Sequence, residues 1–346
     1  MSLVVFQDTN GEHGGAERVA GAVADALGPV GRVTGIAVLD ADRPAVSVRA
    51  SALATADPAA SHAQVLRAGL QAARGWYDSP ARLVVSHHHL GLSISRRSDQ
   101  ETWYYIHTPT RFLWEPDRVP WEASLLPEAE LEELRATERD NVARAAVVWS
   151  NSQATARRVE AAYGRTPDVL YPPVRGFQAT YTAPGDYFVT VSRLVPSKGL
   201  ARLVGATLPL PWLIIGAGRE APIIAQRASS SVRLLGGLSD ERVGSIVAGA
   251  RAYISPGVED FGLAAAAAAC TGLPLVVGRG SGVTEVVTRD RVVEYAATSE
   301  EEFEVATRAV LDVPRASHAA CALLQCELAP ARFNAAVRRA VCGSGG

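Results

Sequence analysis

Short apolar runs alternate with helix-length segments along nearly the whole chain, and this alternation constrains the fold more than any other feature. Leu3–Phe6, Val33–Val38, Arg82–Ser86, Trp103–Ile106 and Ala146–Trp149 read as buried strands, with helices expected over Ala16–Leu27, Ser61–Trp76, Ala129–Ala143 and Ser152–Tyr163. The pattern resumes with strands at Tyr187–Ser192, Trp212–Ile215, Val232–Leu235, Ala252–Ser255 and Leu273–Val277. Helices are expected at Gly199–Ala206, Glu220–Ala228, Asp240–Ala248 and Gly262–Thr271, the last holding six consecutive alanines, Ala264–Ala269. Such alternation gives parallel sheets covered by helices on both faces, because parallel strands need crossover connections and right-handed crossovers wind the helices onto both sides.

The break in the pattern sets the domains. Paired prolines in Tyr171-Pro172-Pro173-Val174-Arg175-Gly176 stop regular structure and stiffen a connector, and Tyr181–Gly185 is a second soft stretch. The expectation is two doubly wound Rossmann-like α/β domains, residues 1–172 and 173–328, with residues 329–346 packing back on the first domain. Their ligand loops lie at the strand C-termini and are expected to face a common cleft. At 346 residues the chain has ample length for two cores.

Composition removes several classes. The formal net charge of −2 supplies no basic excess for a phosphate backbone, so no nucleic-acid partner is expected. No run of about 18 apolar residues is present, so no transmembrane helix is expected. Met1–Val5 lacks the basic start and long apolar stretch of a secretory leader, and a cytoplasmic location is expected. Cys270, Cys321, Cys326 and Cys342 form no CxxC pair and read as reduced thiols, with no zinc site. Of the 34 basic residues only Lys198 is a lysine, the rest being arginine.

That lysine sits in Arg193-Leu194-Val195-Pro196-Ser197-Lys198-Gly199, directly after an expected strand and at an expected helix start. Two cations and a helix N-terminus converging on one point suit a diphosphate. No GxxxxGK[ST] pattern is present, so this is not a Walker loop. Gly14-Gly15-Ala16-Glu17-Arg18 holds the equivalent place after the first strand, where paired glycines let backbone N–H groups approach an anion. It is not GxGxxG, which argues against a dinucleotide oxidoreductase. Gly216-Ala217-Gly218 and Gly236-Gly237-Leu238 follow strands and could present backbone groups to a nucleobase. In Pro256-Gly257-Val258-Glu259-Asp260-Phe261-Gly262-Leu263, Asp260 is a candidate N-cap, Glu259 a candidate acceptor for sugar hydroxyls, and the amides of Phe261, Gly262 and Leu263 would point at a ligand. Tyr105-Ile106-His107-Thr108-Pro109 ends a strand with a histidine before a proline-locked loop, which makes His107 a better functional candidate than His87–His89.

Together these segments resemble a retaining glycosyltransferase of family 4, with the GT-B fold. The resemblance rests on Gly14–Arg18, Tyr105–Trp114, Ser150-Asn151-Ser152, Tyr171–Val174, Val191–Gly199 and Glu259–Leu263, in that order. Tyr105–Trp114 is similar to a segment of a mannosyltransferase-like subgroup. The resemblance implies a nucleotide-diphosphate sugar donor on the second domain, an acceptor on the first, and metal-independent front-face transfer with retention. It implies no covalently bound cofactor. By the same resemblance Arg193 and Lys198 would hold the diphosphate, Glu259 and the Phe261–Leu263 amides would hold sugar hydroxyls, and Asp260 belongs to that donor loop. His107 would contact the donor sugar. Gly15 would border the phosphates, while Glu17, Arg18, Thr108 and Arg111 fall on the acceptor side. The acceptor would be a glycan, a lipid-linked glycan or a small molecule. Arg96-Arg97, Arg111 and Arg118 are the basic residues available for a lipid-linked one.

One position departs from the family. A second glutamate, which binds the ribose, is expected eight positions after Glu259, where this chain has Ala267. Two rivals stay beside the transferase reading, and Ala267 motivates the first of them. One is a non-catalytic or weakened GT-B protein that binds sugar nucleotides or glycans. The other is a phosphorylase that uses Lys198 as a Schiff base for pyridoxal phosphate.

Overall fold

The computed structural model describes residues 3–7, 15–27, 82–87, 91–93, 99–119, 124–177 and 185–343. The expected strand Val33–Val38 and helix Ser61–Trp76, together with Gly14, His88, His89, Arg96 and Arg97, lie outside the described residues. The chain divides into two compact units, Met1–Pro173 with Pro330–Gly346, and Val174–Ala329.

The first unit holds a parallel sheet in the order β1 (Leu3–Gln7), β2 (Arg82–His87), β3 (Glu101–Ile106), β4 (Val147–Ser150) and β5 (Asp168–Val169). Alternate residues of β3 face opposite sides, as a period of two requires. Trp103 and Tyr105 pack with Val84, Trp149, and Val19, Val23 and Leu27 of α1 (Gly15–Leu27). Tyr104 and Ile106 pack on the other face with Val85, Val148, Val142 of α2 (Glu128–Ala143), and Val159 and Tyr163 of α3 (Gln153–Tyr163). The last helix, α4 (Pro330–Cys342), joins the α1 face through Phe333, Val337 and Val341, and Arg338 Nε donates to the Ala26 carbonyl at 2.5 Å. The chain's C-terminal segment thus completes the core of its N-terminal unit. A short helical turn at Arg111–Trp114, which the sequence pattern does not announce, follows β3.

The second unit holds a six-stranded parallel sheet. Its strands are β6 (Phe188–Val191), β7 (Trp212–Ile215), β8 (Val232–Gly236), β9 (Ala252–Ser255), β10 (Leu275–Gly278) and β11 (Val292–Tyr295), in the order β11-β10-β9-β6-β7-β8. The sheet grows outward from β6 in both directions, so its topological switch point lies between β6 and β9. In open α/β sheets ligands bind beyond the strand C-termini at such a point. Phe188, Trp212, Ile254, Val276, Tyr295 and Phe303 form the buried core of one face. Thr190 Oγ1 donates to the Ile254 carbonyl at 2.6 Å and accepts from Trp212 Nε1 at 2.9 Å, which satisfies the polar atoms inside that core.

Two expectations are corrected at the loops. The helix expected from Gly199 to Ala206 is only Leu200–Leu203, because Pro196–Lys198 forms a 3-10 turn that Gly199 closes at φ 72°. Lys198 therefore ends a tight turn and does not open a long helix. The alanine helix runs from Leu263 to Ala269, and its N-cap is Gly262, left-handed at φ 95°, with no side-chain cap bond. Asp260 stands two residues too early to be the cap. The strand Val292–Tyr295 and the helices Glu300–Ala309 and His318–Glu327 also emerge only in the structure.

Candidate functional site

The loops after β6 and β9 leave the sheet on either side of the switch point and approach each other closely through their backbones. An added Cβ on Gly257 would lie 3.0 Å from the Lys198 carbonyl oxygen and 3.3 Å from that of Ser197. Glycine lets the Pro256–Gly257 chain come this close to the lysine turn, since a Cβ there would be tighter than most real contacts and would push on the Lys198 carbonyl. Lys198 and Glu259 meet as a result: Nζ donates to both carboxylate oxygens at 2.8 and 2.7 Å, and the two side chains are 23% and 22% exposed. Arg193, half-buried at the end of β6, completes the group. Burial pulls its guanidinium below the usual arginine range, and the negative charge of Glu259 opposes that shift. The same carboxylate, with burial as the larger cause, pushes the Tyr253 phenol far up. Tyr253 OH donates to the Val191 carbonyl at 2.9 Å, which ties β9 to the end of β6.

Glu259 itself is anchored through its main chain. Its N–H donates to Ser281 Oγ at 3.1 Å, its carbonyl accepts from the Gly282 N–H at 3.1 Å, and Ser281 Oγ donates to the Gly278 carbonyl at 2.7 Å. Nothing in the sequence pattern pointed to Ser281. Asp260 and Leu263 are half-buried beside it, Phe261 is buried, and Ala267 is buried inside the alanine helix.

Gly216 and Gly218 first serve packing. A Cβ on Gly216 would fall 1.8 Å from the Ser192 carbonyl oxygen, so the loop after β7 can pass the Arg193 segment only with glycine there. The Gly216 N–H donates to the Gly236 carbonyl at 2.8 Å, and Leu194 N–H donates to Ala217 O at 2.8 Å. Gly236 is exposed at the end of β8, at φ 72°, with Leu238 half-buried next to it.

In the first unit His107 ends β3 in a buried network. Its Nε2 lies 2.9 Å from Ser86 Oγ, its N–H donates to the His87 carbonyl at 3.0 Å, and its carbonyl accepts from Asn151 Nδ2 at 2.9 Å. The Ser150-Asn151-Ser152 segment therefore positions His107, while Ser152 caps α3 by accepting from the Thr155 N–H. Thr108 is buried, and its Oγ1 accepts from Arg158 Nη2 at 2.8 Å. Arg158 also holds Glu115 with Nε and Nη2 at 2.5 and 2.7 Å. Gly15 opens α1, with Glu17 half-buried and Arg18 exposed in its first turn, and Arg111 is half-buried at the turn after Thr110.

The centre of this network is Glu138, which sequence reasoning missed. It is fully buried and accepts from Ser93 Oγ (3.0 Å), Thr110 Oγ1 (2.7 Å), Trp114 Nε1 (2.9 Å) and Tyr163 OH (3.2 Å). Burial and this neighbouring carboxylate both raise the Tyr163 phenol. The available signal was its place on α2: Leu131, Leu134, Asn141 and Val142 share its buried face, so an acid stands on the helix's inward stripe. His87 is structural, with Nδ1 accepting from the Leu92 N–H at 3.2 Å and Nε2 3.3 Å from Thr110 Oγ1. Among the described residues no group of three or more His, Cys, Asp or Glu side chains is placed to hold a metal ion.

Comparison with known proteins gives this arrangement its class. Residues 185–312 match the family model for glycosyl transferases group 1. No curated protein matches the chain in sequence. Among solved structures, the chain is similar to HepE from Anabaena in complex with UDP-glucose, at 16% identity and TM-score 0.68, covering 99% of this chain and 100% of that one. It is also similar to sucrose-phosphate synthase from Thermosynechococcus elongatus, at 14% identity and TM-score 0.66, covering 99% and 95%. WaaG, a glycosyltransferase of lipopolysaccharide biosynthesis, aligns at 15% identity and TM-score 0.64, over 99% and 100%. The fold is GT-B, and the match to the group 1 glycosyl transferase model lies within its second unit.

Proposed function

We propose that the chain transfers a sugar from a nucleotide-diphosphate donor to an acceptor hydroxyl with retention of configuration. The observation that carries this reading is the convergence of Arg193, Lys198 and Glu259 at the switch point of the second sheet, inside the segment that matches group 1 glycosyl transferases. The UDP-glucose of the Anabaena relative supports a donor of that chemistry.

In this reading Arg193 and Lys198 hold the diphosphate and stabilise the charge that develops on the leaving group. Glu259, with the main chain of Phe261 to Leu263, accepts and donates to the sugar hydroxyls. Asp260 shapes that loop, and Gly216, Gly218, Gly236 and Leu238 border the nucleobase. By the resemblance Gly15 is assigned to the phosphates, and Glu17, Arg18, Thr108 and Arg111 to the acceptor. His107 shields the reacting carbon, and the bonds from Ser86 and Asn151 fix its ring and main chain for that work. A donor phosphate oxygen helps to take the acceptor proton, and no metal takes part. Membership of retaining family 4, as a hexosyltransferase, rests on the six segments from Gly14–Arg18 to Glu259–Leu263 that carry the resemblance, and the mannosyltransferase-like subgroup on Tyr105–Trp114 alone. The acceptor is a glycan, a lipid-linked glycan or a small molecule.

A second reading, a weakened or non-catalytic binder, is favoured by one observation: Ala267, buried in the alanine helix, offers no carboxylate for the ribose. A thermal-shift screen of nucleoside diphosphates and their sugars, followed by a transfer assay with the ligands that stabilise the protein, separates the two. Stabilisation with product formation supports the enzyme, stabilisation without turnover or donor hydrolysis supports the binder, and no shift with any nucleotide removes both. Lys198→Arg is expected to stay folded and lose most transfer, because a planar fork does not replace a compact ammonium. Full activity would refute the assigned role.

A further inference from the structure

The two side chains assigned to diphosphate and sugar neutralise each other. Lys198 Nζ spends donors on both oxygens of Glu259, at 2.8 and 2.7 Å. The main chains beneath them are fixed. Glu259 is bonded through N–H and carbonyl to Ser281 Oγ and Gly282, Lys198 N–H donates to the Val195 carbonyl at 3.0 Å, and Gly257 backs directly on the Lys198 carbonyl. A ligand can therefore separate the pair by turning side chains, with the loops left in place. The negative charge of Glu259 also reaches Arg193.

We propose that Glu259 is a specificity-determining residue that couples diphosphate binding to sugar binding by exchange on Lys198. The inference rests on the donor reading above. Glu259 occupies the position on Lys198 that a phosphate oxygen would take. A diphosphate carries more charge than a carboxylate and displaces it. The released carboxylate then turns its oxygens to sugar hydroxyls. A free sugar meets a glutamate already engaged, whereas a sugar joined to a diphosphate meets a released one. The coupling is reciprocal: sugar contacts that hold Glu259 away from Lys198 strengthen the hold on the diphosphate by the same factor.

Inorganic pyrophosphate, titrated by calorimetry in metal-free buffer, reads the exchange without knowledge of the base or the sugar. Glu259→Gln removes the competing anion and is expected to bind pyrophosphate about tenfold more tightly than the wild type. Lys198→Ala is expected to bind it far more weakly. Asp260→Asn removes the neighbouring charge of the same loop and is expected to gain much less. Equal or weaker binding by Glu259→Gln overturns the exchange. So does an equal gain in Asp260→Asn, which would mean a general field effect, and so does a wild type and variant that both ignore pyrophosphate. Glu259→Ala, checked by thermal melting, gives the same comparison if the glutamine variant does not fold. UDP, ADP and GDP titrated into the wild type test the donor reading separately. Binding of none of them removes that reading, whereas nucleotide binding with unchanged pyrophosphate affinity in Glu259→Gln removes only the exchange.

Discussion

Replacing Glu138 tests the view that a single buried carboxylate holds the His107-to-Trp114 segment in shape. Glu138 is fully buried and accepts four hydrogen bonds, two on each oxygen, from Ser93 and Thr110 and from Trp114 and Tyr163. Glu138→Ala leaves all four donors without that partner. A buried donor left unpaired costs about 1–3 kcal/mol, so the upper range for four is about 4–12 kcal/mol. The space of the deleted side chain admits water, which satisfies part of the set, and the expected loss is about 3–5 kcal/mol, as for other broken buried polar sets. Glu138→Gln keeps one oxygen for two of the donors and turns an NH2 group against the others, so about half of that loss is expected. Urea unfolding followed by tryptophan fluorescence and circular dichroism checks both variants. The chain has two compact units, so the data are fitted as two transitions, and only the one belonging to the first unit is expected to move. A change below about 0.5 kcal/mol in Glu138→Ala, the size of an ordinary surface substitution, would refute the reasoning. A shift confined to the second unit would refute it as well.

Three further outcomes are expected. Gly257→Ala drives a Cβ to within 3.0 Å of the Lys198 carbonyl oxygen and should cost about 1–3 kcal/mol by melting while weakening nucleotide binding; a neutral variant would show that the two loops are free to separate. Ala267→Glu restores a carboxylate for a ribose and should tighten donor nucleotide binding by about ten- to a hundredfold in calorimetry; unchanged or weaker affinity would remove the ribose explanation. Burial raises the Cys270 thiol from 9.0 to about 11. The folded state then holds a proton that the unfolded chain gives up first, so this thiol's contribution to stability declines as pH rises from about 9 toward 11, and Cys270→Ala should flatten that part of the urea-midpoint profile.

The amino-acid sequence by itself determined the two parallel α/β units, because strand and helix periods are local and survive in any environment that buries one face. Trp212–Ile215 and Ala252–Ser255 have the ends read from the pattern, since each is a short apolar run bounded by turn residues. The loops to which the proposal assigns chemistry also stand out in the sequence: they follow strands and collect glycine, proline and charge. The Asp260 cap and the helix opening at Lys198-Gly199 were misread because Gly262 and Gly199 adopt left-handed backbone, which no spacing rule announces. What only the tertiary structure decided was which residues meet. Lys198 and Glu259 are 61 positions apart and become partners because β6 and β9 are neighbours at the switch point, with Gly257 allowing their loops to touch. The role of Glu138 shows only where Ser93, Thr110, Trp114 and Tyr163 surround it in the fold. Burial pattern is written along the chain, but the pairing of charges depends on strand order and close backbone approach, which only the folded chain sets.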